Sequence, residues 1–425
     1  MMQTTADIRA HARAGETHKA EQGLRALIEA VTKEKVVTVS VNQDRYSLNS
    51  VNGFARLETT GDVFFKFHQE EDEDGIREYY NAQILDEAGY AVDRPLFASG
   101  EPGRQILLYR RRSERRFSEI CRELDHEPDP AVFEDAVAAQ RSADADNARI
   151  AIETLHEASY DDIAAEPIFQ LFHRRLVDHP DDEVLGGRAA RFYVNGTFAF
   201  NGFSGGWSDI ADLEWRINGR RYPVTLARAF AMARTLLHPR IHGPGPAVVA
   251  HGDAHNANVW FDTSAPLPRL TLFDPAFAGR HVPALLAEVK ATFHNIFAHP
   301  FWLYDPDDFA RRYAASVSVR PGELVVDTDW DLSPLRRRFL ESKAELFWRP
   351  LLGALRAEGQ LRPDWQAIMR SALFACPTLV MDLTAGGDGA HNPTSSTNGL
   401  AIAIMAASAP TGGSDPFSDF FDLLG

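Results

Sequence analysis

The chain has 425 residues, 44% of them hydrophobic and 24% charged, which is ordinary globular usage and excludes wholesale disorder; a length of this order suits two packed domains better than one core. Its 44 Lys and Arg against 60 Asp and Glu give a net charge of -16, which argues against nucleic acid as the main partner, since phosphate binding needs a basic surface. Two cysteines, Cys121 and Cys376, cannot build a disulfide framework, the N-terminus lacks an apolar signal core, and the run Leu400 to Ala407 is too short to cross a bilayer, so a cytoplasmic protein without membrane contact is expected.

Apolar residues Ala20, Leu24, Leu27, Ile28 and Val31 recur at helical spacing and predict an amphipathic helix near 17–33. Strands are then expected at Val36–Val41, Gly53–Thr59 and Val63–Phe67, the last two joined by the tight turn Thr60-Gly61-Asp62. An acidic link, Glu70–Asp74, leads into a helix from about Ile76 to Ala88, with Gly89 placed to cap it. Two more strands, near Pro95–Phe97 and Gln105–Tyr109, complete five strands and one helix. The fold class is therefore α+β: a helical extension over 1–33, a small β-rich lobe over 34–112, and a larger, mainly helical lobe over 113–425. Within that second lobe, helices are expected at 131–158, 283–297, 333–357 and 363–384. Residues 190–225 form a Gly- and aromatic-rich insertion, in which Asn218-Gly219 between WRI and RRYPV signals a type I′ hairpin.

The chemistry concentrates in VVAHGDAHNANVWF, residues 248–261. Two apolar runs flank a polar loop holding His251, Asp253, His255, Asn256 and Asn258, and the later run Leu270–Phe273 delivers Asp274. A loop held between short strands can fix two acids and an amide around one point. Phosphoryl transfer needs that arrangement: a carboxylate to orient the attacking hydroxyl, and an Asn with a second Asp to hold magnesium. The spacing is also that of the His-x-Asp-x4-Asn catalytic loop of kinases.

HGDAHNAN resembles the HGDxHxxN signature of the aminoglycoside phosphotransferase and choline kinase-like family, over roughly residues 36–300. The resemblance implies a bilobal, protein-kinase-like fold and an ATP- and Mg2+-dependent transfer to a small-molecule hydroxyl. It makes Asp253 the catalytic base, His251 its support, and Asn258 and Asp274 the magnesium ligands. His255 and Asn256 would shape the loop. Lys66 in DVFFKF would grip the nucleotide phosphates, and Glu78 in REYYNAQILDEAG would pair with it. Ser50, Asn52 and Gly53 would lie near the phosphates, and the hinge Gln105–Arg110, with Leu108 and Tyr109, would meet adenine. The family's further Asp, shortly after the magnesium ligand, is absent from Gly279–Ala287, which bears on subfamily more than on catalysis.

Other readings of the same residues exist. His251, Asp253 and His255, with Asp274 and His281, have the ligand chemistry of a zinc- or manganese-dependent hydrolase. A kinase-like fold without catalysis would serve as a binding module. For a cationic acceptor the candidate contacts are Asp209, Asp212 and Glu214, or Asp382 and Asp388. His294 and His299 read as core or surface histidines, Phe198, Phe200, Trp207 and Trp215 as packing, and Asn392–Asn398 as a helix-starting turn.

Overall fold

The computed structural model describes residues 3–42, 50–68, 74–298, 303–387 and 389–425. The chain divides into two compact units, Met1–Glu114 with Thr271–Ala276, and Arg115–Leu270 with Phe277–Gly425. The α+β class expected from the sequence is the one observed.

In the first unit, helices α1 (Thr5–Arg13) and α2 (Thr17–Thr32) precede strands β1 (Val36–Val41), β2 (Ser50–Leu57) and β3 (Gly61–His68). Helix α3 (Asp74–Ala88) follows, then β4 (Phe97–Ser99) and β5 (Ile106–Arg110). Helix α1 was not foreseen; Thr4 starts it with a capping box closed by Asp7. The five strands form one antiparallel sheet in the order β1-β2-β3-β5-β4. Alternation along β3 turns Val63, Phe65 and Phe67 inward, where they meet Leu24, Leu27 and Ile28 of α2 in one core. Each such side chain contributes about 1.5–3 kcal/mol on burial. Gly89 follows α3 with φ +96°, the left-handed cap its position predicts. Residues 70–73 of the acidic link lie outside the described residues.

The second unit is mainly helical. Its long elements are Pro130–Glu153, the run from Pro334 through the π-helical Lys343–Trp348 to Ala357, Trp365–Val380 and Pro393–Ala407. The last begins at Asn392, whose side chain caps Ser395 N, as the turn reading of this stretch anticipated. The helix expected over 283–297 starts later. Gly279–Pro283 is a strand, and helical turns run only from Val289–Thr292 into the π-helical Phe293–Phe297.

In the 190–225 stretch, Glu214–Ile217 and Arg220–Thr225 form the expected hairpin, with Asn218 and Gly219 at φ +49° and +80°. This hairpin joins a four-stranded sheet whose other strands, Ala315–Arg320 and Glu323–Thr328, were not foreseen. Phe198, Phe200 and Trp215 are buried packing residues. A buried ion pair and a buried triad brace the unit: Arg336–Asp125 at 2.7 Å, and Lys343 with Asp144 at 2.5 Å and Glu288 at 2.8 Å. No helix among the described residues is long and apolar enough to cross a membrane.

Candidate active site

In the first unit the site begins on β3. Its alternation leaves Lys66 on the face opposite Phe65 and Phe67, and Lys66 pairs with Leu107 of β5 across the sheet. The return segment Thr271–Ala276 is pinned beside it. Asp93 N donates to Leu272 O, Leu272 N donates to Ala91 O, and Asn81 Nδ2 of α3 donates to Pro275 O at 3.2 Å. Asp274 is thereby held with φ +56°, a backbone region non-glycine residues seldom adopt and one that clusters at functional sites. Its Oδ1 accepts from Lys66 Nζ at 3.1 Å. The structure thus brings together two of the predicted residues that lie far apart in sequence.

The other predicted nucleotide contacts fall on the same sheet. Asn52 is buried on β2 opposite Lys66. A Cβ on Gly53 would lie 2.0 Å from Ser40 O, so this glycine allows β1 to approach β2. Leu108 and Tyr109 are buried on β5, and Leu108 O already accepts from Leu96 N at 2.7 Å. Glu78 lies within α3 and Ser50 within β2, but their side chains are outside the described residues.

In the second unit the predicted loop is clamped at both ends. Strand Gly245–Ala250 runs between His156–Ala158 and Gly279–Pro283, and Val259–Asp262 pairs with Arg115–Arg116. The loop turns at Gly252, where φ is +77° and a Cβ would come within 2.6 Å of Phe277 O. His251 is buried, and its Nδ1 accepts from Asp253 N at 3.3 Å. Asp253 O in turn accepts from His255 N at 2.8 Å and from Asn258 Nδ2 at 3.1 Å. Asn256 N donates to Asn295 Oδ1 at 2.8 Å, and Asn295 O accepts from Arg336 Nη1 at 2.6 Å. The buried Arg336–Asp125 pair therefore reaches the loop through one residue.

This backbone scaffold leaves the Asp253 carboxylate without a hydrogen-bond donor among the described residues. The side chain is 15% exposed. Oδ1 is buried without a hydrogen-bond partner, and neither oxygen accepts a hydrogen bond from any described residue. The nearest cation is Lys290 Nζ, 3.8 Å from Oδ1, while His255 Nε2 stands 3.7 Å from Oδ2. Lys290 is itself buried and 3.0 Å from His294 Nε2, and His294 Nδ1 is 2.8 Å from Tyr304 Oη. Burial, then Lys290, His255 and Arg175, push the His294 pKa well below its ordinary value. Arg175 is pushed down to about 10 by burial and by Arg188, and both arginines donate to Leu379 O.

Sequence reasoning missed Lys290, Tyr304 and Arg175. The available signal was a lysine in the largely apolar stretch Val282–Phe297, whose one acid, Glu288, pairs with Lys343 instead. His294, read as a core or surface histidine, is buried within this network; His299 lies outside the described residues.

Several alternative roles find no support. Among the described residues no three His, Cys, Asp or Glu side chains converge as a metal site would require. His281 pairs with His156 at 2.9 Å, and its backbone N–H donates to Glu166. Of the carboxylates considered for a cationic acceptor, Asp209 accepts from Gly206 N, Glu214 pairs with Arg221, and Asp382 accepts from Thr384. Asp212 is exposed, and Asp388 lies outside the described residues.

No protein-family model matches this sequence, and no curated protein matches it. Among solved structures the chain is similar to a glucosamine kinase, with 13% identity, a TM-score of 0.42, and coverage of 96% of this chain and 85% of that one. It is also similar to a spectinomycin phosphotransferase in complex with ADP and spectinomycin (12% identity, TM-score 0.38, 95% and 98% covered). A macrolide 2'-phosphotransferase from Brachybacterium faecium gives 15% identity, TM-score 0.36, and 93% and 100% coverage. Likeness at this level assigns no activity, which has to rest on the chain's own residues.

Proposed function

We propose that this protein is a small-molecule kinase, which moves the terminal phosphoryl group of magnesium-ATP to a hydroxyl of a small acceptor. The observation that carries the reading is the Asp253 carboxylate, positioned by its loop yet accepting no hydrogen bond from a described residue. A substrate hydroxyl is the kind of donor it lacks. Held there, the hydroxyl oxygen bonds to the γ-phosphorus as the bond to ADP breaks, and its proton passes to the carboxylate.

Lys66 is assigned to the nucleotide phosphates, with Glu78 as its partner and the β2 residues Ser50, Asn52 and Gly53 beside it. The β5 segment around Leu108 and Tyr109 is assigned to adenine. Asp274 and Asn258 suit magnesium, which takes oxygen ligands. The Asn258 amide nitrogen is already committed to Asp253 O, so its Oδ1 is the atom left for a cation. When bound, magnesium would neutralise charge on the phosphates.

The test is transfer of label from γ-labelled ATP to a panel of hydroxylated metabolites and antibiotics. Asp253→Ala should lower the rate by about 10²–10⁴-fold. Transfer that continues near the wild-type rate in this variant would reject the mechanism.

A further inference from the structure

We infer that Lys290 fixes His294 as its Nδ1–H tautomer and thereby leaves the Tyr304 hydroxyl as a hydrogen-bond donor to an oxygen atom of the acceptor. The argument starts from what each group can do. A lysine ammonium has three donors and no acceptor. Lys290 Nζ lies 3.0 Å from His294 Nε2, so Nε2 must offer its lone pair. The ring carries only one proton, because burial and the surrounding cations hold it neutral. That proton is therefore on Nδ1.

His294 Nδ1 is 2.8 Å from Tyr304 Oη. An N–H at Nδ1 donates, so the phenol oxygen accepts and its own hydrogen must point elsewhere. Tyr304 as a whole is 49% exposed, but its phenol keeps that hydrogen, because burial of the hydroxyl end, with the Asp253 charge next in importance, raises its pKa. Among the described residues no acceptor receives it. Lys290 Nζ, 3.8 Å from Asp253 Oδ1, and His294 link this phenol to the proposed base, near which the acceptor would bind.

The geometry also gives the lysine a carboxylate to face. Its Nζ is 3.8 Å from the buried Asp253 Oδ1, which has no other partner. The i,i+4 spacing of Lys290 and His294 places both on one face where α-helical turns pass into the π-helical Phe293–Phe297, a kind of distortion often found at functional sites. Lys290 is thus a positioning residue, acting on Asp253 by charge and on Tyr304 through His294. Only the identity of what Tyr304 donates to rests on the phosphoryl-transfer reading.

The tautomer is read directly by long-range ¹H–¹⁵N correlation on the full chain labelled at histidine, with His294 assigned by His294→Gln. The expected result is protonation at Nδ1 in the wild type, lost or mixed with the Nε2 form in Lys290→Met and retained in Lys290→Arg. An Nε2–H ring in the wild type would mean that Lys290 is the acceptor and Tyr304 donates inward, which overturns the inference without touching the kinase reading. The second arm is kinetic: Tyr304→Phe should raise the acceptor KM about tenfold, the loss of one hydrogen bond, with kcat little changed. An unchanged KM, with the Nδ1 tautomer intact, would remove Tyr304 from the acceptor site. If no acceptor is phosphorylated at all, the kinase reading fails while the tautomer result still stands on its own.

Discussion

Lys66 Nζ and Asp274 Oδ1 lie 3.1 Å apart although 208 positions separate them in the chain. The pair needs both the β3 register and the pinning of Thr271–Ala276 to the first unit. With nucleotide present the lysine is expected to turn to the phosphates. Magnesium-ATP at a hundred times its Kd should stabilise the wild type by about 2.7 kcal/mol. Thermal unfolding of Lys66→Met and Asp274→Asn should show most of that shift lost; an undiminished shift would remove both from the nucleotide site.

Gly252 carries the loop that holds Asp253 through a left-handed turn. Gly252→Ala adds a Cβ at φ +77° and 2.6 Å from Phe277 O. A loss of about 1–3 kcal/mol is expected from the backbone conformation, and more from the clash. Denaturant titration should show the lower midpoint, and any residual transfer activity should fall further than stability alone explains.

The Arg336–Asp125 pair is almost fully buried, with side-chain exposures of 2% and 1%. Removing one partner strands the other charge. Asp125→Ala should cost about 3–5 kcal/mol, whereas replacing both partners by apolar residues should recover much of that loss. A double-mutant cycle by chemical denaturation measures the difference. Because Arg336 also holds Asn295, Asp125→Ala should disturb the loop around Asn256 as well.

Three buried histidines make stability pH-dependent. Burial, the largest cause in each case, depresses the pKa of His173, His242 and His391 from 6.5 to about 4. A folded-state pKa below the unfolded one means that the unfolded chain binds more protons as pH falls. Their contribution is therefore present above about pH 6.5 and is lost progressively toward pH 4. The denaturation midpoint should fall across that window. His242→Gln, which can still donate to Leu236 O as His242 does at 3.1 Å, should make the fall shallower. An unchanged slope would show that His242 titrates normally.

Both thiols are buried, and burial pushes each pKa up to about 12. Native protein should therefore react slowly with a disulfide reagent near pH 8, and two thiols should appear on unfolding. Fast labelling of the native form would indicate an opening of the second unit.

Where a candidate site is built from neighbours in sequence, its local structure was readable. His251, Asp253 and Asn258 sit in one loop, and the run Gly245–Ala250 before it and Val259–Asp262 after it are apolar enough to be seen as strands. The alternation of Val63, Phe65 and Phe67 likewise placed Lys66 on the opposite face. Lys290 was different. Its burial is a tertiary fact, since nothing within four residues of it supplies the Asp253 charge it faces. The strands Ala315–Arg320 and Glu323–Thr328 pair with each other around Pro321-Gly322, a local hairpin signal that was overlooked; only the joining of Glu323–Val326 to Glu214–Ile217 is a long-range fact. Of the helix expected over 283–297, the pairing of Gly279–Pro283 with Gly245–Ala250 takes only Pro283, and residues 284–288 form turns before the helix starts at Val289.

The small segment Thr271–Ala276 belongs to the first unit although it is encoded deep within the second. Lys66 and Asp274 therefore cannot be inherited as one cassette. A chimera joined at Glu114 would take the lysine from one parent and its acidic partner from the other, so recombination at the most obvious boundary splits the pair that the fold keeps together.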